Sequence, residues 1–434
     1  MVPIPTRRLA LVAALGALVV LAVPVDARLL LVDGVLLAVA VVDWALAPRP
    51  DRVTVTRDLP GVLALGSRGE VVWHVANPLA RRLRVAVADD LAPSLRAGTR
   101  RIRVTVPAGG RAEARTELRP ARRGRFEPGF VTVRVEGPLG LVARQRRVAC
   151  PGLLRVFPPF RSRDEAELRI NKARILEVGL RSAQGRGGGT EFDQLREYSV
   201  DDEYRRIDWS ATARAGKPIV RTYRAERNQT VILLLDNGRV MAGRVDDVPR
   251  VEHAMDAVMM MTAVATRLGD RCGLVAFDRR VQRVVGPAQS RTQLARVTEA
   301  MYELEPQLAE SDYAGAFAET LGRFRRRAMI VILTDLVEQA VGESLAPALP
   351  LIVRNHLVVV AGVADPDVVR WASVSPADAG EAYRTTAAVQ SLEERRRTVA
   401  RLRGLGATVI DAPPGRLAPL LADTYLSVKA TGGL

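Results

Sequence analysis

Residues 185–241 read GRGGGTEFDQLREYSVDDEYRRIDWSATARAGKPIVRTYRAERNQTVILLLDNGRVM. The first half of this stretch crowds charge, glycine and aromatic side chains into a chain with an aromatic share of only 4%. Its end is a pure apolar run, 231–235, closed by Asp236. An apolar run without alternation, bounded by polar residues, predicts a strand buried on both faces. A built polar surface therefore leads straight into the first strand of an α/β domain.

Downstream, buried strands and amphipathic helices alternate. Strands are expected at 230–235, 273–277, 281–285, 329–333, 356–361 and 407–410. Helices are expected at 251–268, 292–304, 313–326, 392–403 and 414–428. This alternation predicts a doubly wound, mostly parallel sheet. Ligands of such sheets sit at the carboxyl ends of the strands, where Asp236 and Asp335 stand. Met255, Met259 and Met260 are read as core packing.

Upstream, period-two patterns fill 52–159, among them VTVTR, EVVWHVAN, RLRVAVAD and FVTVRVEG. With turn signals such as Asn77-Pro78 and Gly137-Pro138 between them, they predict an antiparallel β-sandwich. Residues 161–180 read as a charged linker helix. The glycine-rich turn 185–189 lacks the Gly-Lys-Ser/Thr of a phosphate loop.

Two apolar runs, 9–25 and 29–47, open the chain. Joined by Asp26-Ala27-Arg28, they predict a transmembrane helical hairpin. Asp33 and Asp43 lie near the ends of the second run, where a carboxylate can reach headgroups. A signal peptide built on Arg7 and Arg8 is the rival reading, and the second run argues against it. Basic residues on the outer flanks place both termini and the soluble body in the cytoplasm. The expected domains are thus 1–48, 49–160, 161–229 and 230–434.

The net charge is +16, from 64 Lys and Arg against 48 Asp and Glu. The arginines are scattered and few aromatics interleave with them, which argues against nucleic acid. Cys150 and Cys272 fall in different domains and in no metal-binding pattern, so two reduced buried thiols are expected.

The residues Thr190, Glu191, Phe192, Leu195, Arg196 and Tyr198, then Asp202, Arg205, Ile207, Asp208, Trp209, Ala211, Ala213 and Arg214, then Val220, Arg221 and Glu226 resemble the signature of the "domain of unknown function 58" family. Asp201 stands where that family usually has glycine. The strand ending at Asp236 resembles the start of a von Willebrand factor A domain. The resemblance implies a two-helix membrane anchor, a β-domain, the signature and an A-type domain. It implies an adaptor or assembly factor without catalytic activity. Its partners would be a MoxR-type AAA+ ATPase and neighbouring A-domain or transglutaminase-like proteins.

An A-type metal site presents Asp-x-Ser-x-Ser, a later threonine and a later aspartate. Mg²⁺ is a hard cation that takes six oxygens in near-octahedral geometry. Here Asp236 and Asp335 match, and Ser311 or Asp312 lies near the threonine position. Gly238 and Val240 stand where two hydroxyls belong, so the site reads as degenerate, with Asp236 capping its loop or pairing with Arg239. The signature has two readings. Asp201 and Asp202 could pair with Arg205 and Arg206 on a helix while Phe192, Tyr198 and Trp209 pack inward. Alternatively the segment is a docking surface anchored by arginine and aromatic side chains, Phe192, Tyr198, Trp209 and Arg221 among its residues, with Glu191, Arg196, Asp202, Arg205, Asp208 and Arg214 as a charged network at the rim. From another class, a metal-dependent nuclease would use Asp201, Asp202 or Glu203.

Overall fold

Strands that alternate apolar and polar residues bury one face each, and in residues 54–157 those faces meet. The computed structural model of the chain describes residues 3–22, 27–183, 191–200, 202, 204–224 and 229–431. One sheet has the order Pro3–Pro5, Val142–Ala149, Phe130–Glu136, Leu83–Asp89, Arg101–Val106. A second pairs Thr54–Asp58, Gly69–Ala76 and Arg111–Leu118. Val71, Trp73 and Val75 from the second meet Val85, Val87, Val131, Val133 and Val135 from the first in one core. Val142–Ala149 carries three arginines among its eight residues, which hides its strand character in the sequence. A small third sheet joins Val62–Ala64 and Gly124–Phe126 to Leu154–Phe157.

At the end of this core a guanidinium is buried. Arg57 binds Asp89 and the carbonyls of Pro128 and Cys150, with no side-chain exposure at Arg57 or Asp89. Trp73 Nε1 donates to the other Asp89 oxygen at 2.5 Å. Burial raises the pKa of Asp89, opposed by the Trp73 hydrogen bond and by Arg57.

The N-terminal helices require a correction. Among the described residues no helix is long and apolar enough to cross a membrane. The expected transmembrane hairpin, and the two-pass inner-membrane placement built on it, are overturned. The helix Arg7–Ala22 has 16 residues, about 24 Å at 1.5 Å per residue, against a hydrocarbon core of about 30 Å. The helix Ala27–Leu46 includes Arg28, Asp33 and Asp43. Asp43 does not reach headgroups; it is buried in protein. Its carboxylate accepts backbone N–H groups from Leu139, Leu141 and Val142 at 2.8–2.9 Å. Gly137 makes the room, since a Cβ there would lie 2.4 Å from Asp43 Oδ1. Ala40 packs beside it on Leu141 and Val142, with Trp44 against them. Further along, Leu11, Leu15 and Leu18 of one helix and Val35, Leu37 and Val41 of the other are exposed.

The chain divides into two units, Met1–Phe157 and Pro158–Leu434. The helices expected to form a domain of their own at 1–48 belong to the first. The second unit holds a six-stranded sheet in the order Val281–Ala288, Arg271–Phe277, Thr230–Asp236, Met329–Leu333, Leu357–Val363, Thr408–Ala412. All neighbours are parallel except the Val281–Ala288 edge. Val231, Leu233 and Leu235 pack on one face with Met255, Met259 and Met260 of the helix Arg250–Arg267. Ile232 and Leu234 pack on the other, with Phe317 and Leu345. Cys150 and Cys272 are free and buried, and burial pushes the Cys272 thiol up to about 12.

Two helical stretches exceed what periodicity predicted. Residues 338–353 are helical, with a π-turn at Val341–Leu345. The helix expected at 392–403 spans Ala379–Gly404, preceded by Pro366–Ser373. The last helix, Leu417–Ala430, is clasped to the start of Arg271–Phe277. Tyr425 Oη and Lys429 Nζ both donate to Asp270 Oδ2, the lysine at 2.5 Å, while the Gln229 N–H donates to Oδ1 at 3.2 Å.

Candidate functional site

The signature folds as a hairpin of its own. Glu191–Glu197 pairs antiparallel with Ile219–Arg224, with an irregularity between Phe192 and Gln194. Between the strands lie a 3₁₀ turn, Tyr204–Arg206, and a short helix, Trp209–Ala215. Asp208 caps that helix by accepting the Ala211 N–H at 3.0 Å, and Gly216 ends it in the left-handed region. The capping carboxylate also takes Arg221 Nε at 2.7 Å. The Ala211 N–H and Arg221 together hold the Asp208 pKa below the usual carboxylate range.

Asp202 takes Arg196 Nη2 at 2.5 Å and the Ser199 N–H at 2.8 Å. Two pairs of the charged network are Arg196–Asp202 and Arg221–Asp208. Arg214 turns back to the Ser210 carbonyl, and Arg205 is exposed. Tyr198 is half-buried, but Trp209 does not pack inward: it is 59% exposed. Its ring stands edge-on to Tyr204, itself 67% exposed, with centroids 5.7 Å apart. The side chains of Glu191 and Phe192, with Asp201, Glu203, Glu226 and the turn 185–189, lie outside the described residues.

The carboxyl edge of the sheet brings Asp236 and Ser311 together and adds two residues that sequence reasoning missed. Ser311 Oγ donates to Asp236 Oδ1 at 2.5 Å, and the Gly238 N–H to the same oxygen at 2.8 Å. Thr334 Oγ1 and Tyr313 Oη contact Oδ2 at 2.6 and 2.8 Å, and each other at 2.8 Å. Both hydroxyls donate to Oδ2, so each oxygen of the carboxyl is met by two donors. Burial raises the Asp236 pKa, opposed by hydrogen bonds from Ser311, Thr334, Gly238 and Tyr313. Tyr313 is pushed up by burial and by the carboxyl beside it. Thr334 was visible beside Asp335, but only the alternation at a strand end shows that the two point apart.

These residues do not fit a divalent ion. Every Asp236 oxygen already takes two hydrogen-bond donors, which leaves the carboxyl little capacity for a hard cation. Restoring serine at 238 is blocked, because a Cβ on Gly238 would lie 2.1 Å from Ser311 Oγ and 2.9 Å from the Ala309 carbonyl. Asp312 caps the helix Tyr313–Arg323 through the Gly315 N–H. Arg239 pairs with Glu310 at 2.5 Å, not with Asp236. Asp335 faces Arg395 Nη1 at 2.9 Å and Arg250 Nε at 3.2 Å.

A pH dependence follows. A carboxyl harder to ionise folded than unfolded binds more protons in the native state, so its contribution falls as pH rises. The stability advantage of wild type over Asp236→Asn should shrink as pH climbs from about 4 through the raised pKa. Parallel melting curves across that range check this; an advantage that grows with pH would refute the raised pKa.

Among curated proteins, the uncharacterized protein Rv1480 of Mycobacterium tuberculosis is 29% identical over 155 residues. That alignment covers 35% of this chain and 48% of the relative, so the chain spans about half the length of the curated relatives it matches. The uncharacterized protein Mb1516 of Mycobacterium bovis matches to the same extent. Of solved structures, the conserved hypothetical protein BatB from Bacteroides thetaiotaomicron is 12% identical, with 47% of this chain and 99% of that one covered at a TM-score of 0.32. The CARDB domain of the PF1109 protein from Pyrococcus furiosus is 14% identical, covering 24% and 86% at a TM-score of 0.18. Both scores are too low to assign a shared fold. Residues 194–394, which carry most of the hairpin and the whole Asp236 ring, match the model of the family described as Protein of unknown function DUF58.

Proposed function

We propose that the chain is a non-catalytic docking protein and that the 191–224 hairpin is its recognition surface. The exposed Tyr204–Trp209 pair carries this reading. Tyrosine, tryptophan and arginine dominate binding energy at protein interfaces. Here the exposed aromatic pair lies in a segment tied by the Arg196–Asp202 and Arg221–Asp208 ion pairs. Rigid support of this kind lowers the ordering cost of association. The partner proposed from the resemblance is a MoxR-type AAA+ ATPase.

The test is capture of that ATPase by the full chain carrying Trp209→Ala with Tyr204→Ala. Truncating exposed side chains shifts stability by only about 0.5 kcal/mol. Truncating an interface anchor costs about 2 kcal/mol or more, roughly thirtyfold in Kd. Unchanged melting with lost capture supports docking. Unchanged capture, or a large drop in melting temperature, sinks it.

A further inference from the structure

The carboxyl ends of Met329–Leu333, Leu357–Val363 and Thr408–Ala412 lie side by side, and one guanidinium reaches oxygens from all three. Arg395, on the helix Ala379–Gly404, donates from Nη1 to Asp335 Oδ1 at 2.9 Å. Its Nε and Nη2 each donate to an Asp411 oxygen at 2.8 Å, and Nη2 also reaches the Val363 carbonyl at 3.2 Å. A second guanidinium stands behind. Arg250 Nε lies 3.2 Å from the other Asp335 oxygen. Gly243 admits it, since a Cβ there would be 2.4 Å from Arg250 Nη1. Asp335 is 3% exposed, and its Oδ1 also accepts the Leu336 N–H at 2.9 Å.

We propose that Arg395, backed by Arg250, is the resident cation of this face, held by Asp335, Asp411 and the Val363 carbonyl in the place a divalent ion would take. The planar fork suits oxygens spread across neighbouring strands, whereas Mg²⁺ demands a compact octahedron. The two guanidiniums already balance the charges of Asp335 and Asp411, so little net negative charge remains to draw in a dication. Burial alone would depress the Arg395 pKa, but Asp411 and Asp335 outweigh it and push it up. The arginine therefore stays charged at any pH the fold survives. This face is accordingly indifferent to divalent metal, and the Ala379–Gly404 helix is fixed to the sheet by its own cation. This inference stands apart from the docking role of the hairpin.

The experiment uses the full chain. Wild type should melt at the same temperature in EDTA, Mg²⁺ and Mn²⁺. Arg395→Ala should melt lower, and millimolar methylguanidinium should raise its melting temperature without raising that of wild type. Mg²⁺ and Mn²⁺ should not substitute. Arg395→Lys, which keeps the charge but loses the fork, should show the same rescue preference and serves if the alanine variant does not fold. Failure of methylguanidinium to rescue either variant overturns the proposal, as does rescue by Mg²⁺ or Mn²⁺ to the same degree. Calorimetric Mn²⁺ binding to wild type that Asp335→Asn abolishes would overturn it independently.

Discussion

Replacing Arg57 by methionine is expected to destabilise the β-rich unit by about 3–5 kcal/mol, the cost of leaving one member of a buried ion pair without its partner. The size follows from the geometry. Neither Arg57 nor Asp89 has side-chain exposure, and the same guanidinium also serves two carbonyls. Methionine fills the volume but leaves Asp89 with only Trp73 and the carbonyls of Pro128 and Cys150 with one donor fewer. Removing both charges, as Arg57→Met with Asp89→Leu, should cost less than the two single changes summed, because no bare charge then remains. Native-state hydrogen exchange on the strands of this unit separates its opening free energy from that of the α/β unit. A loss below about 1 kcal/mol for the single variant would mean that solvent reaches the pair.

Asp43→Ala should be nearly as damaging, about 3 kcal/mol or more, since a hydrogen bond to a charged group contributes about 1.5–3 kcal/mol. Three backbone N–H groups lose their acceptor at once, and Leu141 and Val142 are buried. Asp43→Asn discriminates. Its single carbonyl oxygen can serve Leu141 and Val142, but its amide then faces the Leu139 N–H. The asparagine variant should fall between alanine and wild type. Gly137→Ala reaches the same contact from the other side, forcing the carboxylate out of its seat. Equal stability of Asp43→Ala and wild type in the same exchange experiment would show that the carboxylate contributes nothing to holding the helix.

The α/β sheet was legible because its central strands are apolar on both faces, as at 231–235 and 329–333, and few other structures suit such runs. The Val281–Ala288 edge was legible as a strand but not as antiparallel, since direction leaves no mark in composition. Asp43 was misread for a physical reason. Within an apolar helix a lone carboxylate looks the same whether lipid headgroups or backbone amides receive it. Its acceptor role depends on a turn about a hundred residues later. The partners of Asp335 were hidden in the same way, for Arg395 lies 60 residues downstream. Ser311 was found because it precedes a helix that periodicity marks. The signature showed as a built surface, but the contact of Asp202 with Arg196 was not legible, because it depends on the turn that follows the Glu191–Glu197 strand. The outward face of Trp209 could not be read at all, because an aromatic in a charged segment suits core and interface equally.

The clasp of Tyr425 and Lys429 on Asp270 bears on the order in which the ribosome delivers this domain. Asp270 becomes fully buried, but its cation arrives 159 residues later. A carboxylate cannot enter an apolar interior unpaired at modest cost. Burial of Asp270 in its native pairing therefore waits until synthesis has passed Lys429, so the start of the Arg271–Phe277 strand is expected to close only with the last helix.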